Sequence, residues 1–255
     1  IGLEGKRHRQ SLAPQRIVQD DRRGDQGVVL HVDHHGMETG PAACRLRHLS
    51  GDGPRPFRHP AGVHALAQVA HFHSDTRISP SQFQIALNQM LPPGIVIREC
   101  RHVHPAFHAR FDAIRKTYRY HILNRPLATA VGRQYHWHIR QPLDLCAMEH
   151  AAEHLLGEHD FKAFEGSGSP RVSTVRRIDK ACFSRDGDLI VFEISSNGFL
   201  KFMVRNIVGT LVDVGRGKYG PEGVRDILAS KDRTKGGATA PAQGLFLMNV
   251  EYPEH

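Results

Sequence analysis

Between residues 61 and 255, hydrophobic side chains recur with the two spacings that distinguish strands from helices. In five segments apolar or β-branched residues alternate with polar ones or run continuously, a pattern that favours strands. These segments are residues 95–100, 119–123, 175–183, 189–196 and 245–252. The Arg-Asp-Gly-Asp sequence at 185–188 is typical of a tight turn, so it predicts a hairpin between the third and fourth of them.

Three helices are predicted from their boundary residues and their periodicity. Ser79 can cap a first helix, and Pro92 ends it. Asp144 can cap a second helix that stops at Gly157, and residues 200–214 form a third. Hairpins and flanking helices in this order predict the α+β class, as two mixed halves that divide near residues 105–115, with a substrate cleft between them.

Residues 1–60 break this pattern. They hold 9 of the chain's Arg, 6 of its 19 His and 8 of its 24 Gly, but a single aromatic residue, Phe57. This composition resembles a GC-rich gene read out of frame. Because few apolar residues offset the entropy of ordering, residues 1–50 are predicted to be largely disordered or loosely packed. An ordered strand here with a buried apolar face would count against the out-of-frame interpretation, whose alternative is a divergent N-terminal segment.

The charge balance is basic, and it is not confined to the unusual segment. The formal net charge is +8, and residues 61–255 alone carry 24 Lys and Arg against 19 Asp and Glu. Such an excess is compatible with a polyanionic partner. The sequence contains no run of 18 apolar residues and no leader pattern, so neither a membrane span nor a signal peptide is expected. Four Cys without Cys-x-x-Cys spacing suit reduced thiols in the cytoplasm.

Ala61-Gly-Val-His-Ala65 is the most informative motif, because further short motifs follow it in a fixed order. They are Gln68-Val-Ala-His-Phe72, Phe107-His-Ala-Arg-Phe111, Lys116-Thr-Tyr-Arg-Tyr120, Phe202-Met-Val-Arg-Asn206, Lys231-Asp-Arg233, Ala238-Thr-Ala240 and Gly244-Leu245. Any one of these motifs alone is weak evidence of a family. In this order and at this spacing, from Ala61 to Tyr252, they resemble the tRNA pseudouridine synthase A (TruA) family.

The resemblance implies the pseudouridine synthase fold, with antiparallel sheets flanking a central basic cleft. Residues 1–60 stand outside it as an aberrant segment, residues 61–110 would complete the N-terminal half, and residues 111–255 would form the C-terminal half. It also implies a cytoplasmic isomerase that needs no cofactor and no metal. Its substrate would be the anticodon stem-loop of tRNA, at positions 38–40, bound by a homodimer.

Three positions match the catalytic residues of that family. Its signature places an Asp, the essential carboxylate, where this chain has Pro60, so the chain as written is predicted to be inactive. Tyr118 matches the tyrosine that lies against the target base, although on a strand it could simply pack in the core with Tyr120. Arg205 matches the arginine that pairs with the catalytic Asp, unless it faces solvent on an amphipathic helix.

Three further positions match substrate-binding residues. Leu245 would close the base pocket, although the start of a core strand would look the same. Arg58 falls where the family has its base-flipping arginine, but within the aberrant segment. Arg110 is one of several candidates for phosphate contacts, each of which could be an ordinary solvated charge. The others are Lys116, Arg119, Arg176, Arg177 and Lys201.

Two alternatives to an active synthase stay open. Residues 55–60 can be encoded by codons that give Gly-Arg-Ser-Asp-Thr when they are read one nucleotide later. This coincidence favours a frameshift. Without a frameshift, the chain would be a non-catalytic RNA-binding pseudoenzyme. A metal-dependent enzyme could be built on paired histidines such as His71 and His73, but no carboxylate or thiolate accompanies them at ligand spacing.

Overall fold

The computed structural model describes residues 26–34, 62–74, 76–168 and 172–254. Within those ranges the chain forms nine strands and four α-helices. The strands are β1 (Gln26–His34), β2 (His64–Ser74), β3 (Ile95–Val103), β4 (Arg115–Asn124), β5 (Trp137–Ile139), β6 (Gly157–Asp160), β7 (Val175–Asp186), β8 (Leu189–Ser196) and β9 (Leu245–Glu251). The helices are α1 (Pro80–Met90), α2 (Leu145–Glu153), α3 (Met203–Gly215) and α4 (Gly223–Ser230).

All nine strands belong to one sheet, in the order β3-β1-β2-β9-β4-β8-β7-β6, with β5 paired to β4. Most pairings are antiparallel; β2 with β9 and β4 with β5 are parallel. The predicted α+β class is therefore confirmed. The two halves do not carry separate sheets, however, because His64 and Ala65 at the start of β2 pair with β9 and join them.

Local signals fixed the helix boundaries well. The Ser79 side chain accepts a hydrogen bond from the Gln82 amide, while the Gln82 side chain accepts one from the Ser79 amide at 2.9 Å, so α1 begins with a complete capping box. Asp144 caps α2 through the Ala147 amide at 3.0 Å. Both N-caps were predicted. Helix α4 was not predicted. No side-chain hydrogen bond caps the helix before its first residue, Gly223, and the helix is only eight residues long, so its local sequence signal is weak.

The prediction that residues 1–50 are largely disordered or loosely packed does not hold for β1. This strand pairs antiparallel with both β2 and β3, and Val28, Leu30 and Val32 on one of its faces are buried. A short apolar alternation is enough to fill a gap between two strands, whereas a composition averaged over 60 residues conceals it. The buried face counts against an out-of-frame origin of residues 26–34. The rest of residues 1–61 lies outside the described part of the chain.

The largest hydrophobic cluster lies between the helices α2, α3 and α4 and the strands β4 and β8. Its fully buried members include Tyr120, Phe192, Met148 and Ile207. Most residues of α3 are buried, as expected for a helix that is apolar on nearly all sides. None of the described helices is both long and apolar enough to cross a bilayer.

Candidate active site

Two tyrosines of β4 point into the main core, as their spacing predicted. Tyr118 is 6% exposed, and its ring meets that of Phe199 edge-on at a centroid distance of 5.1 Å. Burial raises the pKa of Tyr118 above its ordinary value, so the phenol is neutral near pH 7. Tyr120 donates a hydrogen bond from its hydroxyl to the Pro241 carbonyl at 2.7 Å. β4 is thereby held to the segment that leads into β9.

Arg205 extends from α3 towards the same segment. Its Nε donates to the Ala240 carbonyl at 2.6 Å, and the Ala240 amide donates to the Arg205 carbonyl at 3.1 Å. The guanidinium also lies over the ring of Phe202, 5.2 Å from its centroid. Burial lowers the pKa of Arg205, but an arginine remains charged at neutral pH. A backbone carbonyl and an aromatic ring therefore fix the orientation of this half-buried cation.

Gly244 and Leu245 bring the start of β9 against β4. A Cβ at position 244 would lie 2.7 Å from Cζ of Tyr120, so this approach requires glycine. Leu245 follows, stands opposite Tyr120 in the antiparallel register and is buried. The burial agrees with either interpretation of Leu245, as pocket wall or as core residue.

The start of β2 completes this region. Gly62 has φ +84°, which favours glycine, and a Cβ there would lie 3.1 Å from the Ala242 side chain. Val63 belongs to the same hydrophobic cluster as Tyr118 and Leu245. His64 stacks on Phe246 at 4.7 Å, and its Nε2 lies 2.8 Å from the Gln134 carbonyl oxygen. The chain just downstream of position 60 is thus held beside the start of β9.

Comparisons with known proteins agree with this arrangement. A family model described as tRNA pseudouridine synthase matches residues 151–253. A tRNA pseudouridine synthase A of Thermoanaerobacter sp. (strain X514) is 49% identical over 191 residues, 75% of this chain and 78% of the relative. Another, of Moorella thermoacetica, is 45% identical over 230 residues, 89% of this chain and 94% of the relative. The chain belongs to the tRNA pseudouridine synthase A family. Its enzyme class is therefore that of an isomerase acting in tRNA modification.

Membership of the tRNA pseudouridine synthase A family extends upstream of Ala61. The Moorella alignment covers 89% of 255 residues, which is about 227, and only 195 residues follow position 60, so it reaches about 30 residues further upstream. The Thermoanaerobacter alignment, at 191 residues, is no longer than the part that begins at Ala61. Together with the buried face of β1, the longer alignment counts against reading all of residues 1–60 as unrelated sequence.

Not every predicted site residue meets the others in the structure. Pro60 and Arg58 lie outside the described residues. Arg110 is exposed on the loop between β3 and β4, with its guanidinium 5.3 Å from the Phe111 ring centroid. Its neighbour Ala109 packs in a smaller cluster, separate from that of Tyr118. The binding role of Arg110 stays a prediction.

The other predicted phosphate contacts have varied surroundings. Lys116 is buried, so it is not an ordinary solvated charge, and its phosphate contact stays a prediction. Arg119 forms an ion pair with Glu193 at 2.6 Å. Lys201 donates to the Ser167 carbonyl at 2.8 Å. Of the described residues, no three His, Cys, Asp or Glu side chains are grouped so that they could hold a metal ion.

One buried polar residue next to Arg205, which bonds to several segments, was not predicted from the sequence. Asn206 follows Arg205 on α3 and is buried, and its Nδ2 donates to the Phe164 carbonyl at 2.8 Å. Its Oδ1 accepts from Thr239 Oγ1 at 2.6 Å and from Arg233 Nη2 at 3.0 Å. An Asn within an apolar helix is a signal that could have identified it, because a buried amide requires partners.

Proposed function

We propose that this chain is a tRNA pseudouridine synthase that acts on uridines of the anticodon stem-loop, and that Pro60 makes it inactive as written. One observation carries the proposal: Arg205 bonds to Ala240, Gly62 before β2 approaches Ala242, and the strand that begins at Leu245 pairs with β4, which carries Tyr118. Each matches its family position. The proposal includes a cytoplasmic homodimer. The formal charge of +8 favours a polyanionic substrate but is not specific for tRNA.

The proposed reaction breaks the C–N glycosidic bond of uridine and rejoins the base to the ribose through carbon 5, which then loses its proton. It is neither a redox reaction nor a hydrolysis, so positioning and acid–base groups suffice. Buried Tyr118 is neutral. For its oxygen to take the carbon 5 proton, its own proton must leave as the new one arrives, and it passes, directly or through water, to the ring nitrogen that was released from the ribose. Arg205 provides the fixed positive charge that would hold a carboxylate at position 60 ionised.

Pro60 accounts for the proposed loss of activity, because a pyrrolidine ring can neither attack the ribose nor accept a proton. Replacement by Asp alone is expected to rescue little if the residues that precede position 60 are also out of frame. Given the buried face of β1, we exclude residues 26–34 from the out-of-frame reading. The Moorella alignment spans residues 35–60, so the reading frame of those residues is decided by the nucleotide sequence. The nucleotide sequence across codons 50–65 tests this origin: a frameshift that restores Asp supports it, and an uninterrupted frame argues for the pseudoenzyme.

Tritium release from tRNA labelled at carbon 5 of uridine tests the catalytic assignment. The unaltered chain should release none, and the chain carrying the corrected reading frame should release tritium at every turnover. In the corrected chain, Tyr118→Phe and Arg205→Ala should each reduce the rate by about 10²-fold or more. Release by the unaltered chain, or none by the corrected chain, would overturn the assignment of position 60.

The pseudoenzyme is the second candidate, favoured by Pro60 itself. It predicts that the unaltered chain binds tRNA with an affinity that falls steeply as salt rises, because Lys and Arg displace counterions from the phosphates. Binding that is the same at low and high salt would contradict an electrostatic RNA surface. The two candidates differ only in whether any native form of the chain carries a carboxylate at position 60.

A further inference from the structure

A cavity of about 440 Å³ opens beside the 3₁₀ turn Phe161–Phe164. Three basic side chains, Lys162, Lys231 and Arg233, line it together with the Glu165 carboxylate and the turn formed by residues 166–168. We refer to it as the basic cavity. These lining residues come from two separate stretches of the chain, and sequence reasoning assigned no role to any of them.

The charge around the basic cavity is positive on balance. Lys162 Nζ lies 2.8 Å from Glu165 Oε2, and Lys231 Nζ lies 2.9 Å from Asp160 Oδ2. Arg233, by contrast, donates from Nη2 to the neutral acceptors of Asn206 and Thr239. Among the lining residues, three cations therefore stand against one carboxylate, Glu165. Lys201 lies next to the turn, where its Nζ donates to the Ser167 carbonyl. A site that is already partly neutralised suits a singly charged anion better than a doubly charged one.

The turn at residues 166–168 is shaped by close contacts that need glycine. A Cβ at position 166 would overlap the ring of Phe202, and Gly168 has φ +72°. Phe202 itself has φ +60°, a left-handed conformation that is costly for a residue with a side chain. Residues held in this way cluster at functional sites. A turn without bulky side chains also lets a ligand approach the backbone closely.

One aromatic ring separates the basic cavity from Arg205. Lys201 Nζ lies 5.3 Å from the centroid of the Phe202 ring, and the Arg205 guanidinium lies 5.2 Å from the same centroid. The amide of Gly166 also donates to the Lys201 carbonyl at 2.8 Å. A strand whose target nucleotide lay at Arg205 would therefore pass close to the basic cavity.

We infer that the basic cavity binds one backbone phosphate of the RNA strand, close to the target uridine. A phosphodiester carries a single negative charge, and Lys, Arg and backbone amides are its usual protein partners. Arg233 provides the planar donor group and Lys231 the mobile charge. The inference rests on the proposed function for the identity of the strand. The chemistry of the cavity stands apart from that function.

Lys231→Gln tests the RNA contact, and Lys218→Gln is its matched control. Both lysines are exposed, 61% and 57%, and each lies 2.9 Å from an aspartate oxygen, but only Lys231 lines the basic cavity. With anticodon stem-loop RNA, Lys231→Gln should bind roughly fivefold more weakly, and the slope of log K against log salt should shrink by about 0.7 to 1. Lys218→Gln should match the unaltered chain. Equal behaviour of the two variants would overturn the RNA assignment.

Titration with dimethyl phosphate, followed by the backbone amide resonances of Gly166 and Gly168, tests the cavity without RNA. Saturable shifts in the unaltered chain and in Lys218→Gln, but not in Lys231→Gln, are expected. If no shift occurs, the cavity is not a phosphodiester site, whether or not the chain binds tRNA. If the shifts occur but the chain binds no tRNA, the proposed function fails, and with it the assignment of an RNA strand to the cavity.

Discussion

Asn206→Ala is expected to cost more stability than any surface substitution, because one buried amide joins three segments. Asn206 is 1% exposed and bonds to Phe164, Thr239 and Arg233. Thr239 directly precedes Ala240, whose carbonyl accepts from Arg205. The substitution should therefore leave the Arg205 guanidinium less firmly positioned, and it should also destabilise the fold.

The magnitude follows from the fate of each partner. Phe164 is fully buried, and its carbonyl would lose the Asn206 amide, which costs about 1–3 kcal/mol for an unsatisfied buried acceptor. Thr239 is exposed and Arg233 partly so, and both can turn to water, so each lost bond adds about 0.5–1 kcal/mol. Alanine's better helix propensity returns about 0.5 kcal/mol. We expect a loss of about 3 kcal/mol in the free energy of unfolding.

Urea unfolding measures this loss as a change in midpoint at unchanged slope. Asn249→Ala is the control, because Asn249 is exposed and its Nδ2 makes only a 3.4 Å contact with Glu251; its effect should lie within about 0.5 kcal/mol. A loss below about 1 kcal/mol for Asn206→Ala, or one equal to that of the control, would refute the proposed organising role of the amide.

Two further predictions concern packing and pH. Gly209→Ala should destabilise the fold by about 2 kcal/mol, because its Cβ would overlap the Ala238 carbonyl. Gly220→Ala, with open space around position 220, should change thermal stability little. Equal melting temperatures for the two variants would contradict this prediction. The Thr174 hydroxyl holds the pKa of Asp160 below its ordinary 3.8, so its contribution is present above about pH 4 and is lost as pH falls through the lowered pKa. The difference in free energy of unfolding between the unaltered chain and Asp160→Asn should therefore shrink below pH 4. A difference that grows below pH 4 would contradict a lowered pKa of Asp160.

The sequence predicted what local chemistry determines. Ser79 and Asp144 begin their helices because a side-chain oxygen can satisfy amides two or three residues ahead. Tyr118 and Tyr120 share a buried face because a strand alternates. What it could not predict is contact between distant segments. The acceptor for Arg205 is a carbonyl 35 residues away, and a glycine such as Gly209 shows its role only when the segment that crosses it is known.

The position of the core explains why binding and catalysis can separate in this family member. The described members of the main hydrophobic cluster all lie at Val63 or beyond it in the sequence. Arg205 is aimed by Ala240, and the basic cavity is built from residues 162–168 and 231–233, all on the same side of that boundary. If position 60 carries the reacting group, as proposed, a change of Asp to Pro there leaves the identity of all these described residues unchanged. RNA binding cannot distinguish the synthase from the pseudoenzyme, since both share this scaffold, and only chemistry at position 60 separates them.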